Sequence, residues 1–343
     1  MVIGGPDSQR GRIRGKIWPR DRPGTFRRES RLAGNRVGFI GVGIMGGGMV
    51  RNVLKGGYEV SAYDPNPEAL GAVVAAGARA ATSVADAVAG ADFVQVVVPG
   101  PRDVEEVAFG PDGAAEAMPK SAIFIQHATI DPATMQSVGA RLAEMGIRCL
   151  DAPCLRSPKD AADGVLGFPV GGDRATLDAA RELLLCCADT IYETGAIGTG
   201  SALKLVNNAL NLTILCAAVE AVTLGVKSGL ELDMMVEAFY HTPARAKHFV
   251  TQRPTWEKRD FRPGFMTLLA HKDIRLAMQH AASLEVPMTT SAAAYALLAL
   301  TEGQGFGRDS QTSVLKLIEA AAGVEVKSES GRLLAALDET AND

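Results

Sequence analysis

Three things are scarce in this 343-residue chain, and each scarcity excludes something. Histidine occurs only five times, with no ligand-like spacing, so no metal centre is expected. The five cysteines (Cys149, Cys154, Cys186, Cys187 and Cys216) contain no C-x-x-C pair and are odd in number. That usage fits a reducing compartment and not a disulfide framework. No apolar run of membrane-spanning length escapes interruption by charge or glycine, and the N-terminus lacks the apolar stretch of a secretory signal. A cytoplasmic location without a membrane partner is expected. Net charge is also low, at −4, but unevenly spread: residues 1–35 carry nine Lys/Arg against three Asp/Glu, which leaves the rest of the chain acidic. An acidic body argues against nucleic acid as a partner. The basic tail, residues 1–35, holds Pro19 and Pro23, shows no helical period and is expected to be disordered.

What is present reads as an ordinary globular protein, 47% hydrophobic and 22% charged, long enough for two cores. From Arg36 the pattern becomes strand, glycine turn, helix and second strand, the last ending at Tyr63-Asp64. "ADFVQVVVP" (91–99), "SAIFIQHAT" (121–129) and "GIRCLDAP" (146–153) are further apolar strands, as in a parallel sheet covered on both faces. Alanine-rich helical stretches separate them, and "GVLGFPVGGD" and "DTIYETG" add two short strands. Past Gly198 every segment reads as helix. The expected fold is an α/β Rossmann-type doubly wound sheet over 36–197, then an all-α domain over 198–325 and a polar tail over 326–343.

Gly41-Val42-Gly43-Ile44-Met45-Gly46 is a G-x-G-x-x-G that follows a strand and opens a helix. In that context Gly41 permits the tight turn, Gly43 lets a pyrophosphate approach the backbone, and Gly46 packs helix on strand. The amides of Gly43, Ile44 and Met45 then face the phosphates at a helix N-terminus. Asp64, 18 residues past Gly46, stands at the end of the second strand. Its carboxylate can accept both ribose hydroxyls and repels a 2′-phosphate, and no arginine follows it. NAD is expected over NADP.

The segment "GTGSALKLVNNALNLTILCAAVEAV" (198–222) places polar groups in an apolar helix. At about 100° per residue, Lys204, Asn207, Asn208 and Asn211 share one narrow face. A polar stripe on a core helix lines something. Beside a nicotinamide, Lys204 can exchange a proton with a substrate oxygen, and Asn208, one turn on, can hold the substrate. Burial would lower the lysine pKa toward the useful range. His127, near Thr129, suits a supporting role. Cys154 suits a pocket wall, because hydride chemistry needs no covalent step.

These residues resemble the β-hydroxyacid dehydrogenase family over about Arg36 to Val324. "GFIGVGIMGGGMVRN" is similar to the family's N-terminal signature, and "GTGSALKLVNN" to its G-x-G-x-x-x-K-x-x-N-N. "FMTLLAHKDIRLA" is similar to its C-terminal F-x-x-x-x-x-x-K-D block. The resemblance implies Lys204 as the catalytic residue with Asn208 as its partner, and Lys272 reaching the cofactor. It also implies Val98, Pro99 and Thr129 on the nicotinamide side, and a homodimer or homotetramer. One block departs from the pattern. Where the family reads D-x-P-V-S-G-G, this chain has Asp151-Ala152-Pro153-Cys154-Leu155-Arg156-Ser157. Arg156 offers a permanently charged fork suited to a carboxylate or sulfonate, and a similar arginine marks the sulfolactaldehyde reductase subgroup.

The expectation is an NAD-dependent oxidoreductase acting on a small anionic β-hydroxyacid or its semialdehyde. Substrate contacts are expected from Arg156, Ser157, Asn207, Asn211 and Thr129. A sulfonate-specific reductase and a dinucleotide-binding protein without turnover are the alternatives.

Overall fold

The computed structural model describes residues 17–19 and 35–331. Its strands are β1 (Ile17–Pro19), β2 (Arg36–Ile40), β3 (Glu59–Tyr63), β4 (Arg79–Ala80), β5 (Phe93–Val96), β6 (Ile123–Gln126), β7 (Arg148–Asp151), β8 (Leu166–Gly171) and β9 (Ala188–Gly195). They form one nine-stranded sheet in the order β1-β9-β8-β7-β6-β5-β2-β3-β4. From β7 through β4 every pairing is parallel. Beyond that, β8 runs antiparallel to β7 and parallel to β9. The chain turns outward in opposite directions from β2 and β5, so the switch point of the doubly wound sheet lies between them. Ligands of such sheets bind there, outside the carboxyl ends of the strands.

Both faces of the central strands are covered, which is why they read as unbroken apolar runs. Ile123 and Ile125 enter a core with Phe39, Met49 and Val50. Phe124, between them in sequence, enters the opposite core with Val94, Val96 and Met135. Period-two alternation thus feeds two layers from one strand.

One expectation needs adjusting. Ile17–Pro19, inside the tail expected to be disordered, forms an edge strand antiparallel to β9, with Trp18 opposite Ile191. The remainder of residues 1–34 and residues 332–343 lie outside the described residues. The chain divides into compact units at Lys204/Leu205, seven residues past the expected boundary at 197/198. The reason is a single helix, Thr199–Lys227, that runs on through the expected boundary. By length and hydropathy alone that helix could cross a membrane, yet half of its most apolar window is buried inside the protein.

The second unit is helical. Its core gathers Leu212, Leu215, Val219 and Val222 of the long helix with Trp256, Ile274 and Leu298. Principal helices are Leu232–Tyr240, Thr267–Ser283, Thr289–Thr301 and Val314–Ala322.

Candidate active site

The glycine turn leaves β2 and opens the helix Ile44–Lys55. Gly41 has φ +84°, and a Cβ there would stand 2.0 Å from the Val97 carbonyl oxygen. Only glycine fits so close an approach. Gly43 is the opposite case, since a Cβ there would meet nothing within 4 Å. Gly43 is the N-cap of the helix and no side chain caps it. The first turn therefore presents backbone N–H groups without a side-chain acceptor, beside open space, and Ile44 is 55% exposed. A pyrophosphate fits this cradle. Asp64 accepts from Val42 N–H at 2.8 Å through Oδ2 and from Asn66 N–H at 2.8 Å through Oδ1. Each carboxylate oxygen retains acceptor capacity for a ribose hydroxyl, so the residues present fit a dinucleotide.

Beyond β5 the chain runs through Val97 and Val98 to Pro99, and Val98 Cγ1 lies 3.3 Å from where a Gly41 side chain would begin. Val98 and Thr129 are half-buried and Pro99 is exposed. His127, directly after β6, is 2% exposed and has burial pushing its pKa down to about 4.

After β7 comes the departing block. Asp151, wholly buried at the strand end, accepts from Ser201 N–H at 2.8 Å and Ser201 Oγ–H at 2.7 Å, and also from the Gly198 and Gly200 amides. Burial pushes its carboxyl up to about 6 against those four donors. Asp151 thereby caps the long helix, where the N–H groups and macrodipole favour a carboxylate. Lys204 sits on that helix three residues after Ser201 and is half-buried, less enclosed than the apolar sequence around it implies. Its charge is felt at Cys154, whose thiol burial nevertheless pushes up to about 12. A thiol so held is neutral and packs in the core, with Met49 Sδ at 3.7 Å.

Arg156 has φ +77°, unusual for a residue with a side chain. Its guanidinium donates to Asp189 Oδ2 at 2.6 Å and to the Val165 carbonyl. The bond to Asp189 holds its pKa up. The position expected to receive a substrate acid group is thus already paired with an internal carboxylate at the start of β9. Ser157 is likewise engaged: it caps the helix Pro158–Asp163 in a capping box with Asp160. Its N–H donates to Asp160 Oδ2 at 2.8 Å.

On the long helix Asn208 is 5% exposed, whereas Asn207 is exposed and Asn211 intermediate. Asn208 Nδ2 donates to Asp273 Oδ2 at 2.6 Å and accepts at Oδ1 from Asn207 Nδ2 at 3.0 Å. Lys272 Nζ pairs with Asp273 Oδ1 at 2.9 Å. One buried carboxylate, 2% exposed, therefore positions both residues implied at 208 and 272. Lys272 also lines an open cavity of about 620 Å³ with His271, Arg275 and Glu302.

Asp151 and Asp273 anchor the candidate site residues, and local sequence patterns do not reveal them. Each lies within a family-like motif, but its partner is 50 or 65 residues away. The capping box at Ser157-Pro158-Lys159-Asp160 was visible as a local pattern.

Residues 36–198 match the family model described as the NAD binding domain of 6-phosphogluconate dehydrogenase. Residues 198–318 match the one described as NAD-binding of NADP-dependent 3-hydroxyisobutyrate dehydrogenase. The chain is 32% identical to NAD-dependent L-serine dehydrogenase of Pseudomonas aeruginosa, over 84% of this chain and 99% of that protein. It is 30% identical to 3-sulfolactaldehyde reductase of Escherichia coli, over 85% and 98% respectively. Among solved structures, Mycobacterium tuberculosis 3-hydroxyisobutyrate dehydrogenase with L-serine is similar at TM-score 0.76 and 30% identity, covering 83% of this chain and 99% of that one. The chain belongs to the 3-hydroxyisobutyrate dehydrogenase family of nicotinamide-dependent hydroxyacid dehydrogenases.

Proposed function

We propose that this protein interconverts a small β-hydroxyacid and its semialdehyde, with NAD as cofactor and Lys204 as proton donor and acceptor. The bound nicotinamide supplies or removes the hydride at the substrate carbon. The chain's own part is to hold the dinucleotide, orient the substrate and move the proton at oxygen. Gly41, Gly43, Ile44, Met45 and Gly46 form the pyrophosphate turn. Asp64 takes the ribose hydroxyls, and its charge at that position supports NAD over NADP. Val98, Pro99 and Thr129 line the nicotinamide side, and Lys272 completes the cofactor contacts. During oxidation the neutral Lys204 amine takes the hydroxyl proton as the carbonyl forms; during reduction the ammonium returns it.

The placement of Lys204 carries the reading. It lies just past the first turn of a helix whose N-terminus Asp151 ties to the end of β7, and its charge reaches Cys154 in the loop leaving that strand. Asn208 follows one turn later, and Asn207, Asn211 and Thr129 supply further polar contacts. Arg156 meets the acid group of the substrate by exchanging Asp189 for it. A homodimer or homotetramer in the cytoplasm is part of the same proposal. Leu203, Val206, Leu210 and Ile214 leave an apolar stripe of the long helix exposed at three- and four-residue steps, which suits a second copy. All five cysteines are free. Sedimentation showing only monomer at micromolar concentration would remove the oligomer.

The test is NAD-linked oxidation of 3-hydroxyisobutyrate, L-serine and L-threonate, and NADH-linked reduction of 3-sulfolactaldehyde, with NADP and NADPH run in parallel. At least one substrate should turn over, with NAD preferred. Lys204→Ala should lower kcat by roughly 10²–10⁴ while NAD affinity stays unchanged. Activity retained within a few-fold, or no turnover on any substrate by NAD-saturated protein, overturns the reading.

A further inference from the structure

Three strand ends approach the switch point side by side, and one imidazole joins them. His127 Nδ1 lies 2.6 Å from the Ala152 carbonyl oxygen, beyond β7. Its Nε2 lies 2.9 Å from the side-chain oxygen of Gln95, on β5. The ring packs at 5.1 Å from Phe168 of β8 and is 2% exposed. Backbone bonds complete the tie: His127 N–H donates to Val96 O at 2.9 Å, and Cys154 N–H donates to His127 O at 3.3 Å.

We propose that His127 is a positioning residue for the substrate loop Asp151–Ser157, which it grips through the Ala152 carbonyl. The proposal rests on the dehydrogenase reading above. A neutral imidazole has one N–H, and the short contact to a backbone carbonyl requires that proton on Nδ1. Nε2 then carries a lone pair and must face a donor, so the Gln95 amide turns its NH₂ toward the ring. The same turn gives the Gln95 amide nitrogen, which otherwise lies buried without a hydrogen-bond partner, the ring lone pair to donate to, and leaves the weaker demand of the carbonyl oxygen in its former place. The other solution, an imidazolium donating from both nitrogens, is opposed by burial, which lowers the pKa to about 4. Gln95 thus fixes the tautomer, and the tautomer fixes the Ala152 carbonyl. Two residues along that loop is Cys154, where the charge of Lys204 is felt.

Two near-isosteric substitutions separate the arms of this device. An asparagine amide nitrogen can occupy the place of Nδ1, and a glutamine amide nitrogen the place of Nε2. His127→Asn should keep kcat/KM for the hydroxyacid within about threefold of the parent. His127→Gln should lower it by roughly 10- to 100-fold, the cost of losing a group that orients a site. Affinity for NAD, read by fluorescence titration, should stay within twofold in both variants. Thermal midpoints should be the same for the two variants. Nitrogen-15 NMR of the protein at pH 7 should show His127 neutral and protonated on Nδ1, a readout independent of turnover. If no hydroxyacid is oxidised, the dehydrogenase reading fails, and the NMR result still decides the tautomer. Equal activity of the two variants, kinetics that follow thermal stability, or an Nε2-protonated ring overturns the proposal.

Discussion

The glycine turn after β2 and the Asp151–Ser157 loop after β7 begin alike. Each leaves the carboxyl end of a strand, and each leads into a helix. They then handle their polar groups in opposite ways. The first turn of the helix after Gly43 has no side-chain cap and faces open space. The loop after β7 satisfies its own side chains: Ser157 with Asp160, Arg156 with Asp189, Asp151 with Ser201. A site built from unsatisfied backbone donors advertises its ligand, because the donors demand an anion. A site whose side chains are paired internally reveals its ligand only through what must be exchanged. This difference explains why the cofactor class follows readily from the turn while the substrate does not follow from the loop.

The comparison can be broken most severely at Gly41. Gly41→Ala forces a Cβ to within 2.0 Å of the Val97 oxygen at a positive φ. Cofactor binding should fall below detection, with folding stability lower by more than about 2 kcal/mol in denaturant titration. Gly43→Ala is the sharper case, since φ is −60° and the added methyl meets no protein atom. The thermal midpoint should hold while NAD affinity drops by roughly tenfold or more, because the methyl occupies the approach of the pyrophosphate. An unchanged affinity would mean that the open space is not the phosphate cradle.

On the loop side the effects should be smaller. Arg156→Ala should raise KM for an acidic substrate by roughly tenfold and leave a neutral aldehyde unaffected. A charge-assisted contact is worth about 1.5–3 kcal/mol, but here one carboxylate only replaces another, so the net loss falls near the low end. Stability should change by less than about 1 kcal/mol, as for other half-exposed ion pairs. Equal KM changes on both substrates would return Arg156 to a structural role with Asp189. Least of all, Ser157→Ala should cost about 1 kcal/mol of stability through the lost helix cap. Its KM should not move; a raised KM would put the hydroxyl on the substrate after all.

Much of the fold was legible because its signals are local. The runs around Val94, Phe124 and Leu150 announce strands buried on both faces, and the glycine spacing announces the turn. That Lys204 and Asn208 lie on one helix was legible because helical periodicity converts spacing into a shared face. Pairings across long separations were not, among them Asp151 with Ser201, Asn208 with Asp273 and Arg156 with Asp189, each of which involves a candidate site residue or the helix that carries one. Nothing near Arg156 in the chain says that Asp189, 33 residues on, will neutralise it. The edge strand Ile17–Pro19 escaped for a related reason, since its neighbours in sequence are basic and proline-rich while its partner, β9, lies far along the chain.

The shared anchor at Asp273 has an energetic consequence. Its two oxygens divide between the Asn208 amide and the Lys272 ammonium. Removing either donor leaves a buried carboxylate leaning on the other, which must then bear the whole burden of its desolvation. The worth of Asn208 is therefore conditional on Lys272, and the reverse. A double-mutant cycle across the two should return a coupling term and not a sum. Under the proposed roles, Asn208 on the substrate and Lys272 on the cofactor, a change in substrate affinity is expected to accompany a change in cofactor affinity.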